Sequence, residues 1–182
     1  MDSPAFFFTF IQKMVPRTAI ITSEFSLNYI QLVKEEEIGK ALEKNTQQFK
    51  KLLKKIPRKK FDYAYAEGKW TIKETLQHLI DSERVFNYRA LRFARMDATP
   101  LVGFDENSFA THAGAANRKW EDLVEEFKAV RRSTELLFAS FTDDQLTFAG
   151  VANERPQNAL GIGFLIPGHT AHHMRIIKEK YL

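Results

Sequence analysis

Residues 70–95, WTIKETLQHLIDSERVFNYRALRFAR, decide the fold. Ile72, Leu76, Leu79, Phe86 and Phe93 recur at spacings of three, four and seven, which lines them along one face of an α-helix. Thr71 and Glu74 make a capping box at its start, hydroxyl and carboxylate each accepting from the other's backbone N–H, so the first turn is signalled. The pattern continues to about Arg95, where Arg89, Arg92 and Arg95 complement the negative end of the helix dipole. His78 stands beside the apolar stripe. An imidazole turned to the core costs on the order of 1–3 kcal/mol for each unmet polar group, so His78 needs a partner.

Partners stand at the other end of the chain, in residues 161–182, GIGFLIPGHTAHHMRIIKEKYL. His169 and His173 are four apart and project from one helical face, on the arc of Ile162, Leu165, Ile166, Ile176 and Ile177. With His78 they make three neutral imidazoles on the inward faces of two helices, a donor set for one divalent cation of borderline softness. Three protein ligands leave positions open for water or substrate, as in catalytic sites, whereas structural zinc sites are closed by four. The chain has no Cys to close one. An HxxxH pair alone is often two satisfied or solvated histidines; the apolar bracketing is what favours metal.

Two further helical patterns complete the chain. Lys34 to Ile56 turns Ile38, Leu42, Phe49, Leu52 and Leu53 inward and stops at Pro57, before a loop over 58–69. Met96 to Asn117 reads as a loop with Pro100, Gly103 and Gly114, after which a helix from Arg118 to about Phe141 buries Trp120, Leu123, Phe127, Val130 and Leu137. A second capping box, Thr142 to Gln145, leads through an irregular segment past Pro156 to Asn158, which caps the helix of the histidine pair. Nothing alternates with period two over more than a few residues. The expected fold is all-α, a four-helix up-down-down-up bundle with a long crossover loop between the second and third helices, since that connection is longer than an antiparallel pair needs and could cross the end of the bundle. The bundle domain spans 25–182 and follows an irregular N-terminal extension, 1–24.

In that extension Ala5 to Ile11 is apolar but too short to span a bilayer, and it lacks the flanks of a signal peptide. Phe6, Phe7, Phe8 and Phe10 suit either the cover of a bundle face or a homodimer contact, and Met14 is a candidate translation start. The net charge of +4 owes much to Lys50, Lys51, Lys54, Lys55, Arg58, Lys59 and Lys60. That cluster closes a helix and interleaves no aromatic residues for base stacking, so neither nucleic acid nor a membrane is expected as a partner. Without Cys the chain has no disulfide framework and no cysteine nucleophile, which suits a cytoplasmic protein; any thiol it uses comes from outside.

The strings KWTIKETLQHLIDSERVFNYRALRFAR (69–95) and GHTAHHMRIIKEKYL (168–182) resemble the DinB/YfiT-like superfamily of bacterial four-helix-bundle metalloenzymes, the likeness running from about Phe25 to the C-terminus. The resemblance implies that one histidine of the second helix and an HxxxH pair of the fourth, here His78, His169 and His173, bind a divalent cation, commonly nickel or zinc. It also implies thiol-dependent S-transferase chemistry, with a low-molecular-weight thiol such as mycothiol or bacillithiol and a small electrophilic substrate as partners. A metal-dependent hydrolase and a non-catalytic metal-binding stress-response module are the alternatives. Thr170 and Ala171 stand where an acidic residue is frequent in the family. Asp81 and Glu83 either replace it behind a ligating imidazole or form a solvated acidic pair. His172 is a substituted ligand or a half-exposed neighbour. Gly103, Phe104 and Asp105 match the family's GFD string and place that loop at the pocket wall, unless Gly103 only turns the chain and Asp105 only caps it. Among Arg89, Arg92 and Arg95, one binds an anionic substrate or all three serve the helix end.

Overall fold

In the computed structural model, which describes residues 15–182, the helices are α1 (Glu24–Ile30), α2 (Ile38–Leu53), α3 (Ile72–Ala94), α4 (Glu106–His112), α5 (Trp120–Ala139), α6 (Asp143–Thr147) and α7 (Ala159–Ile176). A hairpin of β1 (Ala149–Ala152) and β2 (Arg155–Asn158) precedes α7. The readings of Ala5 to Ile11 and of Met14 lie outside the described residues.

Long-range contacts give the helix directions. Gln77 meets Arg118, Glu83 meets Arg131 and Asn87 meets Thr134, so numbers rise together and α3 runs parallel to α5. Asn45 donates to the Pro167 carbonyl and Ile38 lies against Gly163, so α2 and α7 are parallel as well. Tyr181, just beyond α7, donates to the Trp70 carbonyl at the head of α3, which makes those two helices antiparallel. Helices α2, α3, α5 and α7 therefore form the expected up-down-down-up bundle. Because α3 and α5 are parallel neighbours, the segment joining them has to travel back along the bundle. It does not cross the bundle end: Leu101 pairs with Ala152 near one end of α3, and Ala116 accepts from Lys73 at the other.

The elements differ from the sequence reading in several places. Helix α2 begins at Ile38, not Lys34, because the Arg17 guanidinium takes the carbonyls of Ile30, Val33 and Glu35 and holds that turn outside the helix. Residues 15–24, assigned by sequence to the extension, are thereby tied to the bundle, and Asn158 adds bonds to Ile21 and Ala19. The 96–117 loop contains α4, which Asp105 caps by accepting from Asn107 and Ser108. Helix α5 buries Arg131 and Thr134 fully, while Trp120, Val130 and Leu137 are only partly buried. The hairpin, finally, is too short for a period-two signal; it turns through Asn153 and Glu154, at φ 50° and 61°.

The core has two parts. One lies around Leu42, Phe93, Phe164 and Leu165, the other around Phe49, Leu76, Leu123 and Ile177. Helix α7 is buried all round from Ala159 to Thr170, as expected of a helix apolar on every side. No helix of the described residues is long and apolar enough to cross a membrane.

Candidate metal centre

His78 sits in the second turn of α3, and His169 and His173 sit near the end of α7. The antiparallel pairing of these helices brings α3's beginning to α7's end, so residues 91 positions apart in sequence touch. Gly168 shapes the site next to His169. A Cβ there would stand 2.3 Å from the Tyr29 carbonyl oxygen, so only glycine lets α1 pack this close to α7. Tyr29 is thereby held edge-on to His169 and His172, with ring centroids 5.5 and 5.1 Å away. Trp70 covers His78 from the other side at 4.6 Å, and Phe86 meets His169 at 5.8 Å.

The three imidazoles converge through the same nitrogen. His78 Nε2 lies 3.1 Å from His169 Nε2, and His173 Nε2 lies 3.2 Å from it. Donor atoms of all three lie within 4.8 Å of one another. Three rings sharing one spot cannot all be satisfied by hydrogen bonds among themselves, because neutral imidazoles carry one proton each and His169 Nε2 has one lone pair or one N–H to offer. A cation with metal–nitrogen bonds of about 2.0–2.1 Å would set tetrahedral nitrogens about 3.3 Å apart, close to the spacing observed. The residues present therefore fit a divalent cation. Ser82 Oγ stands 3.4 Å from His78 Nδ1, positioned to accept from a proton there and leave Nε2 free to ligate.

Burial keeps these rings neutral. It lowers the His78 pKa from 6.5 to about 4. His173 falls to about 3, first by desolvation and then by the neighbouring His78 and His172, and His169 falls well below 6.5 for the same leading reason. Neutral lone pairs at pH 7 are what metal ligation requires.

A family profile of the DinB superfamily matches residues 41–177. The chain belongs to the DinB superfamily. Among solved structures, this DinB-superfamily chain is similar to YfiT from Bacillus subtilis, reported as a probable metal-dependent hydrolase with an unusual four-helix bundle topology. The two share 19% identity and a TM-score of 0.68, over 87% of each chain. That likeness is one of fold. No curated protein matches the chain.

The donor set of this DinB-superfamily member opens on a cavity of about 380 Å³, whose walls include Tyr29, Trp70, Phe86, Arg89, Phe104 and His172. His172 therefore reaches the cavity but stands outside the converging set, half-buried, its pKa lowered by desolvation and by Arg175. Asp81 and Glu83 do not back the imidazoles. Asp81 accepts from Gln77 and pairs with Arg84, while Glu83 turns to the opposite side of α3 to bind Arg131 and Thr134. Asp105 caps α4, and its neighbours Phe104 and Glu106 line the cavity in its place. Gly103 lies against Asn153, which a Cβ would approach to 2.2 Å. Tyr29, Trp70 and Ser82 escaped the sequence reading. Ser82 had a signal, being one helical turn beyond His78; Tyr29 had none, since it arrives through α1.

Proposed function

We propose that the chain is a metal-dependent enzyme that holds one divalent cation, nickel or zinc, on His78, His169 and His173, and that its reaction is hydrolysis of a small substrate bound in the adjoining cavity. The observation that carries this reading is the convergence of three Nε2 atoms at the edge of that cavity. A divalent cation in such a site supplies Lewis acidity that makes a nucleophile available near neutral pH. The chain's own residues do the rest. Trp70 and Phe86 shield the imidazoles from bulk water, Tyr29 fixes the orientation of His169, and Ser82 orients His78. His172, on the cavity wall and outside the donor set, is placed to take or return a proton at the substrate.

The description of YfiT as a probable metal-dependent hydrolase supports hydrolysis over the thiol transfer that the sequence put first. Thiol transfer, which the family resemblance implied, is the second reading; with no Cys in the chain, the thiol would come from outside. A binding module without turnover is the third. The test mixes zinc- or nickel-loaded protein with ester and amide substrates, and separately with a chromogenic electrophile and bacillithiol, mycothiol, glutathione or cysteine. Hydrolysis that disappears in His169→Ala supports the proposal. Thiol-dependent turnover without hydrolysis replaces it with the transferase, and background rates throughout leave the binding module.

A further inference from the structure

Two arginines are buried in this protein, and the fold treats them differently. Arg131 is 1% exposed and is met by both oxygens of Glu83 and by Thr170, Asn45 and Thr46. Arg89 is 6% exposed, yet its one described hydrogen bond goes to the Val102 carbonyl at 3.2 Å. Among the described residues no carboxylate pairs with it; Arg84 and Arg92, its neighbours on α3, each have one. A guanidinium has five N–H donors, so most of those on Arg89 are left for a partner other than the protein.

The unmet donors face the cavity. His78, Ser82, Phe86 and Arg89 line it from one face of α3, and Arg155 lines it from β2. The Phe104 ring lies on the same wall, its centroid 6.0 Å from the Arg89 guanidinium. Against these two cations the cavity lining offers one carboxylate, Glu106.

We propose that Arg89 is the recognition residue for an anionic group, a carboxylate or phosphate, carried by an elongated small substrate whose other end reaches the three histidines. The inference deepens the proposed function and rests on it for the reacting end alone. Arg89 lies eleven positions beyond His78 on the same helix, which at 1.5 Å of rise per residue sets their backbones about 16 Å apart along α3. One small anion cannot bridge both. Phe86 lines the cavity from between them on α3, and Tyr29 lines it beside the histidines, which suits an apolar or aromatic body.

The test measures binding by calorimetry to protein stripped of metal with a chelator, so that no cation can account for an anion preference. The probes are 4-phenylbutyrate and phenethyl phosphate against the neutral 4-phenylbutyramide. At least one anion should bind about tenfold more tightly than the amide to the native chain, and Arg89→Gln should bring them within about twofold, with Arg89→Lys between. The preference should survive in His169→Ala, which separates a failure of the metal reading from a failure of this one. An amide that binds as well as the anions to the native chain overturns the proposal without any variant. So do anions that fail to bind at all, and a preference that Arg89→Gln leaves unchanged.

Discussion

Arg131 is the largest of the fully buried side chains, and it sits where α2, α3, α5 and α7 meet. Its bidentate pair with Glu83, at 2.8 and 2.9 Å, takes both charges out of water, so each is tolerable only with the other present. Replacing Arg131 with Met should strand the Glu83 carboxylate and cost about 3–5 kcal/mol, read as a lower denaturation midpoint. Converting Glu83 to Leu in the same chain should recover much of that loss. The same network explains a limit of the sequence reading at this scale. His78, His169 and His173 were legible because helical periodicity puts them on inward faces that a lone imidazole could not occupy cheaply. Glu83 sits on an inward position of the same helix, but nothing in the sequence says that an arginine 48 positions away would claim it.

Among the elements, α1 and the hairpin are held by local conditions that can be altered one atom at a time. Gly168→Ala would place a methyl 2.3 Å from the Tyr29 carbonyl, a backbone atom that cannot swing aside. Helix α1 should separate from α7, with loss of stability and a cavity opened to water around His169, measurable as faster hydrogen exchange over 24–30. The hairpin works in the opposite direction. Glu154 holds φ 61°, a left-handed conformation that costs a residue with a Cβ roughly 1–2 kcal/mol. Glu154→Gly completes the Asn-Gly turn that two-residue hairpins favour and should raise the melting temperature by about 1–4 °C, after glycine's greater entropy loss is subtracted. Long amphipathic helices announced themselves through capping boxes and apolar stripes. Helix α4, with seven residues, and strands of four residues were too short to carry a period, and α1 depends on Gly168, which is distant in sequence.

For the whole molecule, the bundle buries three neutral histidines at one end, and that ties its stability to pH. The unfolded chain protonates them near pH 6.5, whereas in the folded chain His78 and His173 resist protonation down to about 4 and 3. The unfolded state therefore binds more protons below pH 6.5, and metal-free protein should lose stability steadily as the pH falls from about 6.5 towards 4, with no contribution from these groups above 7. Melting curves of chelator-treated protein across that range check the sign. Cation binding adds to the folded state alone, by about 2.7 kcal/mol when the free ion stands at a hundred times its dissociation constant. The most direct measurement is a calorimetric zinc titration of untagged protein at pH 7.5, made on the native chain and on His78→Ala, His169→Ala and His173→Ala. One ion per chain should bind the native protein, and each variant should lose that binding while keeping its helical spectrum, because two ligands remain but the apolar core is intact. A native chain that takes up no zinc or nickel, or one whose binding survives all three substitutions, would contradict a metal centre on these histidines.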